Sequence, residues 1–289
     1  MKVLEIILLS LAIFQMINCE EKRHFYRCGV DDEEVKPIPA TNFVTVKKDK
    51  RSLEDKKFKD FKIYLDLINI KNGIVKFHLE EFESLFISSL QEAVKTLEAL
   101  LKVEDTGRGF RFNDSDITGI NIPDWNKTMI GDNAIGNTYE LGIDLIIFAI
   151  FNDMQHNTFA KASPKYNDPF SNRPIVGVVE INYGAYFSKD RTKEYLQSIL
   201  IHELTHILGF LKSYFTDYFH NIYNKTDEYG LVRYYINSTK VLEVAKKYYN
   251  CQDIDGVELE ESGGSGTAGS HWEARILLGD YMNGVIYEE

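Results

Sequence analysis

The stretch "HELTHILGF", residues 202–210, places two histidines four residues apart, with a glutamate directly after the first. On an α-helix, residues four apart lie on one face, so His202 and His206 can bind one metal ion together. Glu203 lies one step around the helix, close enough to reach a water molecule on that metal. Gly209 is a residue at which the helix can end and the chain turn sharply. The pattern is typical of zinc sites in which the glutamate is a general base for peptide hydrolysis.

A catalytic zinc site needs a third protein ligand, which this helix does not supply. The compact metzincin motif has that ligand, a histidine, three residues after the glycine. This chain has Lys212 there. A gluzincin arrangement, with a downstream glutamate such as Glu228 or Glu243 as third ligand, is one alternative.

Three other histidines lie within range of the motif along the chain. His156, in "NDMQHN", is predicted to lie in a loop, and His220, after an aromatic segment, is predicted to be packed or at the surface. His271 follows "ESGGSGTAGS", whose glycines permit a close approach of the backbone to a site. On spacing alone, His271 is as compatible with an exposed loop residue as with a zinc ligand.

The hydrophobic pattern predicts strands interspersed with long helices, and therefore a layered α+β fold. Strands are predicted at 63–70, 141–151 and 173–184, with a short edge strand at 158–163. Helices are predicted at 77–103, at 192–211 with the motif, and at 239–250, the last capped by Ser238 or Thr239.

The length and net charge limit the classes of protein to which the chain can belong. With 289 residues the chain suits one large domain or two modest ones, and its formal net charge of −11 argues against general nucleic-acid binding.

The N-terminus predicts export. Residues 1–19, "MKVLEIILLSLAIFQMINC", have the charged start and short apolar core of a secretory signal peptide, although a buried N-terminal helix is the alternative. No other segment is predicted to span a membrane. Export to an extracellular or cell-surface location is also favoured by four glycosylation sequons, at Asn113, Asn126, Asn224 and Asn237.

Residues 20–58 are crowded with charges of both signs and include the basic run "KKDKR" at 47–51. They suit a pro-segment with a processing site at or after that run, and equally a solvated linker.

Several separate segments resemble the leishmanolysin family of zinc endopeptidases over roughly residues 60–285. These segments are "HELTHILGF", "NSTKVLEVAKKYYNC", "ESGGSGTAGSHWEAR" with a methionine eleven residues after its histidine, and, upstream, "DLIIFAIFND", "TFAKAS" and "NRPIVGVVEIN". In that family an insertion separates the glycine from the third zinc histidine. Here the insertion would be residues 210–270.

The resemblance implies a role for each matching position. His202, His206 and His271 would bind one Zn²⁺ per chain, Glu203 would be the general base, and Met282 would lie in the turn beneath the metal. For Met282 ordinary core packing is the alternative. The edge strand near 158–162 would pair with a protein or peptide substrate in extended form.

The implied fold is a metzincin-like protease within residues 59–289: a twisted mixed sheet with the active-site helix, then a truncated C-terminal subdomain. Family members continue past the methionine into a cysteine-rich domain, whereas this chain ends seven residues after Met282. A catalytically inactive, protease-like adhesion or binding protein is therefore the main alternative function.

Cys28, in "FYRCGVDD", resembles the pro-segment cysteine of the same family, although the flanking histidines of the family pattern are absent. A thiolate is a good zinc ligand, so Cys28 would displace the catalytic water and keep the enzyme latent. The alternative is a disulfide between Cys28 and Cys251.

Overall fold

The structure, a computed structural model, describes residues 25–27, 38–39, 43–45, 58–105, 108–110, 122, 142–152, 154, 158–186, 192–261, 267–277 and 279–287. Most of the predicted signal peptide and pro-segment lies outside these ranges. Among the described residues, no helix is both long enough and apolar enough to cross a membrane.

A five-stranded mixed sheet forms the centre of the fold. Its strands, in spatial order, are β2 (Ile38–Pro39), β9 (Ala160–Asn167), β10 (Pro174–Asn182), β8 (Leu145–Asn152) and β5 (Ile63–Asp66). β5, β8 and β10 are parallel, β9 runs antiparallel to β10, and β2 runs parallel to β9. β8 and β10 are apolar along most of their length because both of their faces are covered.

The helices pack over one face of this sheet. They are α1 (Ile68–Phe77), α2 (Glu83–Leu100) after a 3₁₀ turn at Glu80–Phe82, the single turn α3 (Tyr183–Tyr186), and α4 (Lys193–Ile207). The main hydrophobic core lies between α2, α4 and the sheet. A smaller apolar cluster covers the other face, around Phe148, Ile175 and Val178. This arrangement confirms the predicted combination of helices with a mixed sheet.

After α4 the chain builds a second region around its own core. A π-helical turn at Tyr214–Tyr218 leads into a three-stranded sheet of β11 (Ile222–Thr226), β12 (Val232–Ile236) and β13 (Val257–Glu258), with α5 (Thr239–Tyr248) between β12 and β13. Its core includes Phe210, Phe215, Trp272 and Met282, all of them buried.

Three small antiparallel pairs complete the described elements. They are β1 (Phe25–Arg27) with β14 (Val285–Tyr287), β3 (Phe43–Thr45) with β7 (Arg108–Phe110), and β4 (Phe58–Asp60) with β6 (Lys102–Glu104).

One predicted element is wrong in its second half. The strand predicted at 63–70 ends at Asp66, whose carboxylate accepts a hydrogen bond from the backbone N–H of Ile68, and α1 starts there. An aspartate that accepts from the residue two positions on favours a turn, and here that local bond ends the alternating pattern.

Candidate metal centre

The helix α4 carries the first half of the site. It begins at a Thr192 cap, whose side chain accepts a hydrogen bond of 3.2 Å from the N–H of Tyr195. At its other end it lies directly on β10, because a Cβ added to Gly177 would overlap the side chain of Ile207. The last turns of α4, with His202, Glu203 and His206, are therefore buried.

The chain reverses at Gly209, where φ is +105°, a conformation that a residue with a Cβ rarely adopts. This turn brings the next residue back to the helix, and the carbonyl of Phe210 accepts a 2.8 Å hydrogen bond from His206 Nδ1. The glycine after the motif thus ends the helix, as predicted, and also orients one of its histidines.

The segment 267–271 carries the third histidine into the same place. His271 is fully buried, and its Nδ1–H donates to the carbonyl of Thr267 at 2.9 Å. Backbone bonds to Glu260 hold both sides of the segment: Gly269 N–H donates to the Glu260 carbonyl at 2.7 Å, and Glu260 N–H donates to the His271 carbonyl at 2.9 Å.

The three histidines converge through one ring nitrogen each. His202 Nε2 lies 3.2 Å from His206 Nε2 and 3.3 Å from His271 Nε2, and the ligand atoms of all three lie within 4.8 Å of one another. Each Nδ1 contacts a backbone carbonyl, that of Tyr281 in the case of His202. A carbonyl can only accept, so each Nδ1 carries the proton and each Nε2 presents a lone pair.

These lone pairs fit a zinc ion. Lone pairs facing each other across 3.2–3.3 Å repel unless a cation lies among them. Nitrogens that ligate a tetrahedral zinc at about 2.0–2.1 Å are separated from one another by about 3.3 Å. The fixed Nδ1–H···O=C bonds are the usual partners of zinc-binding histidines. Both spacing and donor set therefore suit Zn²⁺.

Burial keeps all three rings neutral. Burial lowers the pKa of His202 to about 4 and that of His271 to about 3. Repulsion from a charged His202 lowers the pKa of His271 further. The pKa of His206 also falls well below its ordinary value, first through burial and then through the two neighbouring rings. Neutral imidazole is the form that binds a metal.

Glu203 and Met282 are both fully buried. Met282 belongs to the core of the second region, and its carbonyl accepts a 3.0 Å hydrogen bond from the N–H of Trp272, the residue after His271.

The alternative candidates for the third ligand do not lie in this cluster. His220, Glu228 and Glu243 are exposed, and among the described residues the three converging histidines form the one group of histidine, cysteine or carboxylate ligands that could hold a metal ion. His156 and Cys28 lie outside the described residues. Cys251 is exposed and forms no disulfide within the part of the chain that the structure describes.

Sequence reasoning missed the residues that build the turn before Met282. Asp280 is buried, and its carboxylate accepts a 2.9 Å hydrogen bond from Met282 N–H. The following residue, Tyr281, presents its carbonyl to His202. The segment "GDYMNG" contains Asp and Gly residues, which are typical of turns, and this composition is the one sequence feature that indicates a turn there.

Comparison with known proteins points to one family. The family model described as Leishmanolysin matches residues 93–289. The leishmanolysin homolog of Crithidia fasciculata is 36% identical over 122 residues, which are 40% of this chain and 18% of that protein. The leishmanolysin of Leishmania tropica is 33% identical over 114 residues, 38% of this chain and 16% of that protein. The leishmanolysin-like peptidase of Drosophila melanogaster is 26% identical over 165 residues, which are 44% of this chain and 24% of that protein. The chain thus spans about a fifth of the length of these relatives.

Proposed function

Because the chain belongs to the leishmanolysin family, a family of zinc metalloendopeptidases, we propose that it hydrolyses peptide bonds in protein substrates. The observation that carries the proposal is the convergence of three unprotonated Nε2 atoms, from His202, His206 and His271. Glu203, the residue after His202 on α4, is buried as well. Each histidine is a zinc ligand in this proposal, with one ion per chain.

Zinc held there would lower the pKa of a water molecule to about 7 and polarise a carbonyl group. Glu203 would accept the proton from that water and pass it to the leaving nitrogen. Its position on α4, one residue after His202, keeps its carboxylate in the same rigid element as two of the ligands. The buried walls of the site exclude bulk water from these groups.

The substrate would bind in extended form along β9. Among the described residues, the outer side of β9 pairs with β2 at Tyr166 and Asn167, and α4 packs against β9. An extended peptide can therefore add to the N-terminal part of β9 through backbone hydrogen bonds, which recognise side chains little.

The test is a pair of measurements on Glu203→Gln and the parent protein. The variant removes the base and keeps the shape, so we expect kcat/KM on an unstructured protein such as casein to fall about 10²–10⁴-fold. Zinc content, measured by atomic emission on the same samples, should stay at one ion per chain.

An unchanged rate in the variant would exclude this mechanism. A parent protein that binds zinc without any turnover, even after removal of the pro-segment, would instead identify a binding protein that retains a protease-like site.

We also propose that the N-terminal segment keeps the enzyme latent. β1 pairs with β14 in register Arg27 with Val285, and Cys28 is the next residue after β1. Val285 follows Gly284, at which an added Cβ would lie 3.4 Å from the ring of His271. The chain thus reaches the neighbourhood of the zinc ligands one residue before Cys28, which supports a thiolate ligand at the open zinc position. The pairing of β2 with β9 would hold the same segment against the substrate strand.

Cys28→Ser tests the latency directly. We expect the full-length variant to cleave casein without prior processing, whereas the parent requires processing or a thiol-reactive mercurial. The control is Cys251→Ser, which should leave latency intact. Equal latency in the Cys28 variant and the parent would contradict the proposal.

Finally, we propose a secretory route, with residues 1–19 as signal peptide, 20–58 as pro-segment and 59–289 as catalytic domain. Asn224 and Asn237, two of the four sequon asparagines, are exposed and accessible to glycosylation. A shift in mobility after endoglycosidase treatment of the protein expressed in eukaryotic cells would test this route.

A further inference from the structure

The segment that carries His271 contacts Lys212 as well as Glu260. Lys212 stands three residues after Gly209, and its backbone N–H donates to Ser270 Oγ at 3.2 Å. Ser270 directly precedes His271 and is buried. One side of the third ligand's segment is therefore bonded to the chain that leaves the active-site helix.

The side chain of Lys212 adds a packing contact to this bond. At Gly269 the backbone has a φ of +80°, and a Cβ there would lie 2.7 Å from Lys212 Cδ and 3.0 Å from Cγ. The glycine thus lets the segment lie directly on the aliphatic part of the lysine. The ammonium group extends beyond it to the ring of Tyr234, 5.0 Å from the ring centroid.

We propose that Lys212 is a positioning residue that sets the place of His271 relative to His202 and His206. It acts through its backbone N–H and its hydrocarbon stem, and it couples the segment 267–271 to the helix that bears the other two ligands. Lys212 does not itself bind the metal. This inference rests on the proposed zinc site.

The contact has a direct energetic consequence. His271 Nε2 must lie about 3.3 Å from the other nitrogens to share one zinc ion. Without the contact with Lys212, the segment is held by its two backbone bonds to Glu260 and by the bond from Trp272 to Met282, so the position of His271 is less tightly restrained. Loss of a contact that orients a ligand typically weakens metal affinity about 10–100-fold.

The experiment measures zinc affinity of the full-length protein by competition with a chromogenic chelator. Lys212→Ala removes the stem and should weaken zinc binding about tenfold, and Ser270→Ala, which removes the hydroxyl acceptor, should do the same. Lys212→Met keeps the stem without the charge and should bind zinc within about twofold of the parent. Ser238→Ala, the loss of another buried serine hydroxyl, is the control and should not change zinc affinity.

The cobalt form gives a second readout that a loss of stability alone would not change. The visible absorption of Co²⁺ bound in place of zinc should shift in Lys212→Ala and Ser270→Ala, and should match the parent in Lys212→Met. Zinc affinity and cobalt spectra that match the parent in both alanine variants would overturn the inference and leave the zinc site standing. A parent protein that binds no zinc would overturn both.

If Lys212→Ala does not fold, the zinc affinities of Gly269→Ala and Gly230→Ala test the same contact. Both glycines have nearly the same φ, +80° and +82°, but an added Cβ at Gly230 has no atom within 4 Å. Both substitutions carry the backbone strain, so weaker zinc binding in the Gly269 variant alone would support the contact with Lys212. Equal zinc affinities in the two variants would count against it.

Discussion

The two halves of the metal centre are built in different ways. His202 and His206 lie on α4, a regular helix pressed onto the central sheet. His271 lies in an irregular segment whose place is set by two backbone hydrogen bonds to Glu260 and one from Lys212. Within the segment, the carbonyl of Thr267 orients the His271 ring. The helical half is fixed by periodicity and packing, so its geometry follows from spacing. The irregular half is fixed by contacts between residues far apart in the chain, and its geometry exists only once the second core has formed.

The largest expected effect comes from the irregular half. His271→Asn removes one of three ligands and should reduce zinc content from one ion per chain to none after dialysis, because two histidines on a helix do not complete a site. His220→Asn is the matched control: His220 is exposed, and asparagine tolerates its positive φ of 48°. Zinc retained by the His271 variant would show that the helical half suffices or that another residue completes the site.

A second effect concerns the turn before Met282. Burial raises the pKa of Asp280 to about 7, so the folded protein binds a proton there more tightly than the unfolded chain, whose ordinary pKa is 3.8. The resulting stability is fully present below about pH 4 and is lost as the pH rises through about 7, up to about 4 kcal/mol. Asp280→Asn should remove this dependence. Urea unfolding of the zinc-free proteins at several pH values between 4 and 8 measures the difference.

The free energy of unfolding is compared as a function of pH in the parent and in Asp280→Asn. The difference in free energy of unfolding between parent and variant should change across this range, and a constant difference would show that Asp280 does not titrate near neutrality. Burial and the neighbouring Tyr248 raise the pKa of Tyr249, and the charge of Asp280 adds to that rise. The pKa of Tyr249 should therefore lie nearer its ordinary value in the variant.

The smallest expected effect tests the helical half. Gly177→Ala forces Ile207 away from β10, and such overpacking costs about 1–3 kcal/mol of stability. Gly184→Ala is the control, because its added Cβ would have its nearest contact at an ordinary 3.5 Å. Ile207→Ala should cost less stability in the Gly177 variant than in the parent, and strictly additive effects in thermal unfolding would contradict the contact.

The sequence predicts the helical half and most of the fold for the same reason. Periodicity placed α4, α5, β8 and β10 within a few residues of their observed bounds, because each buries an apolar face. It also placed the end of α2, but that helix starts at Glu83 and not at 77, after a 3₁₀ turn at Glu80–Phe82. It failed at Asp66, where one local hydrogen bond replaced an alternating strand by a helix. It favoured His271 through family resemblance, since no local pattern shows that a segment 62 residues after Gly209 returns to the helix. Asp280, Tyr281 and Ser270 have no signal beyond turn composition, because their roles depend on which atoms they meet.

The partners of the three histidine Nδ1 atoms have an evolutionary consequence. All three are backbone carbonyls, of Phe210, Thr267 and Tyr281. Every amino acid supplies a carbonyl, so these positions can change their side chains through many generations without losing the bond that orients a ligand. Selection at these positions therefore preserves the backbone conformation rather than the identity of the residue. A metal centre of this kind can persist while its surrounding sequence drifts.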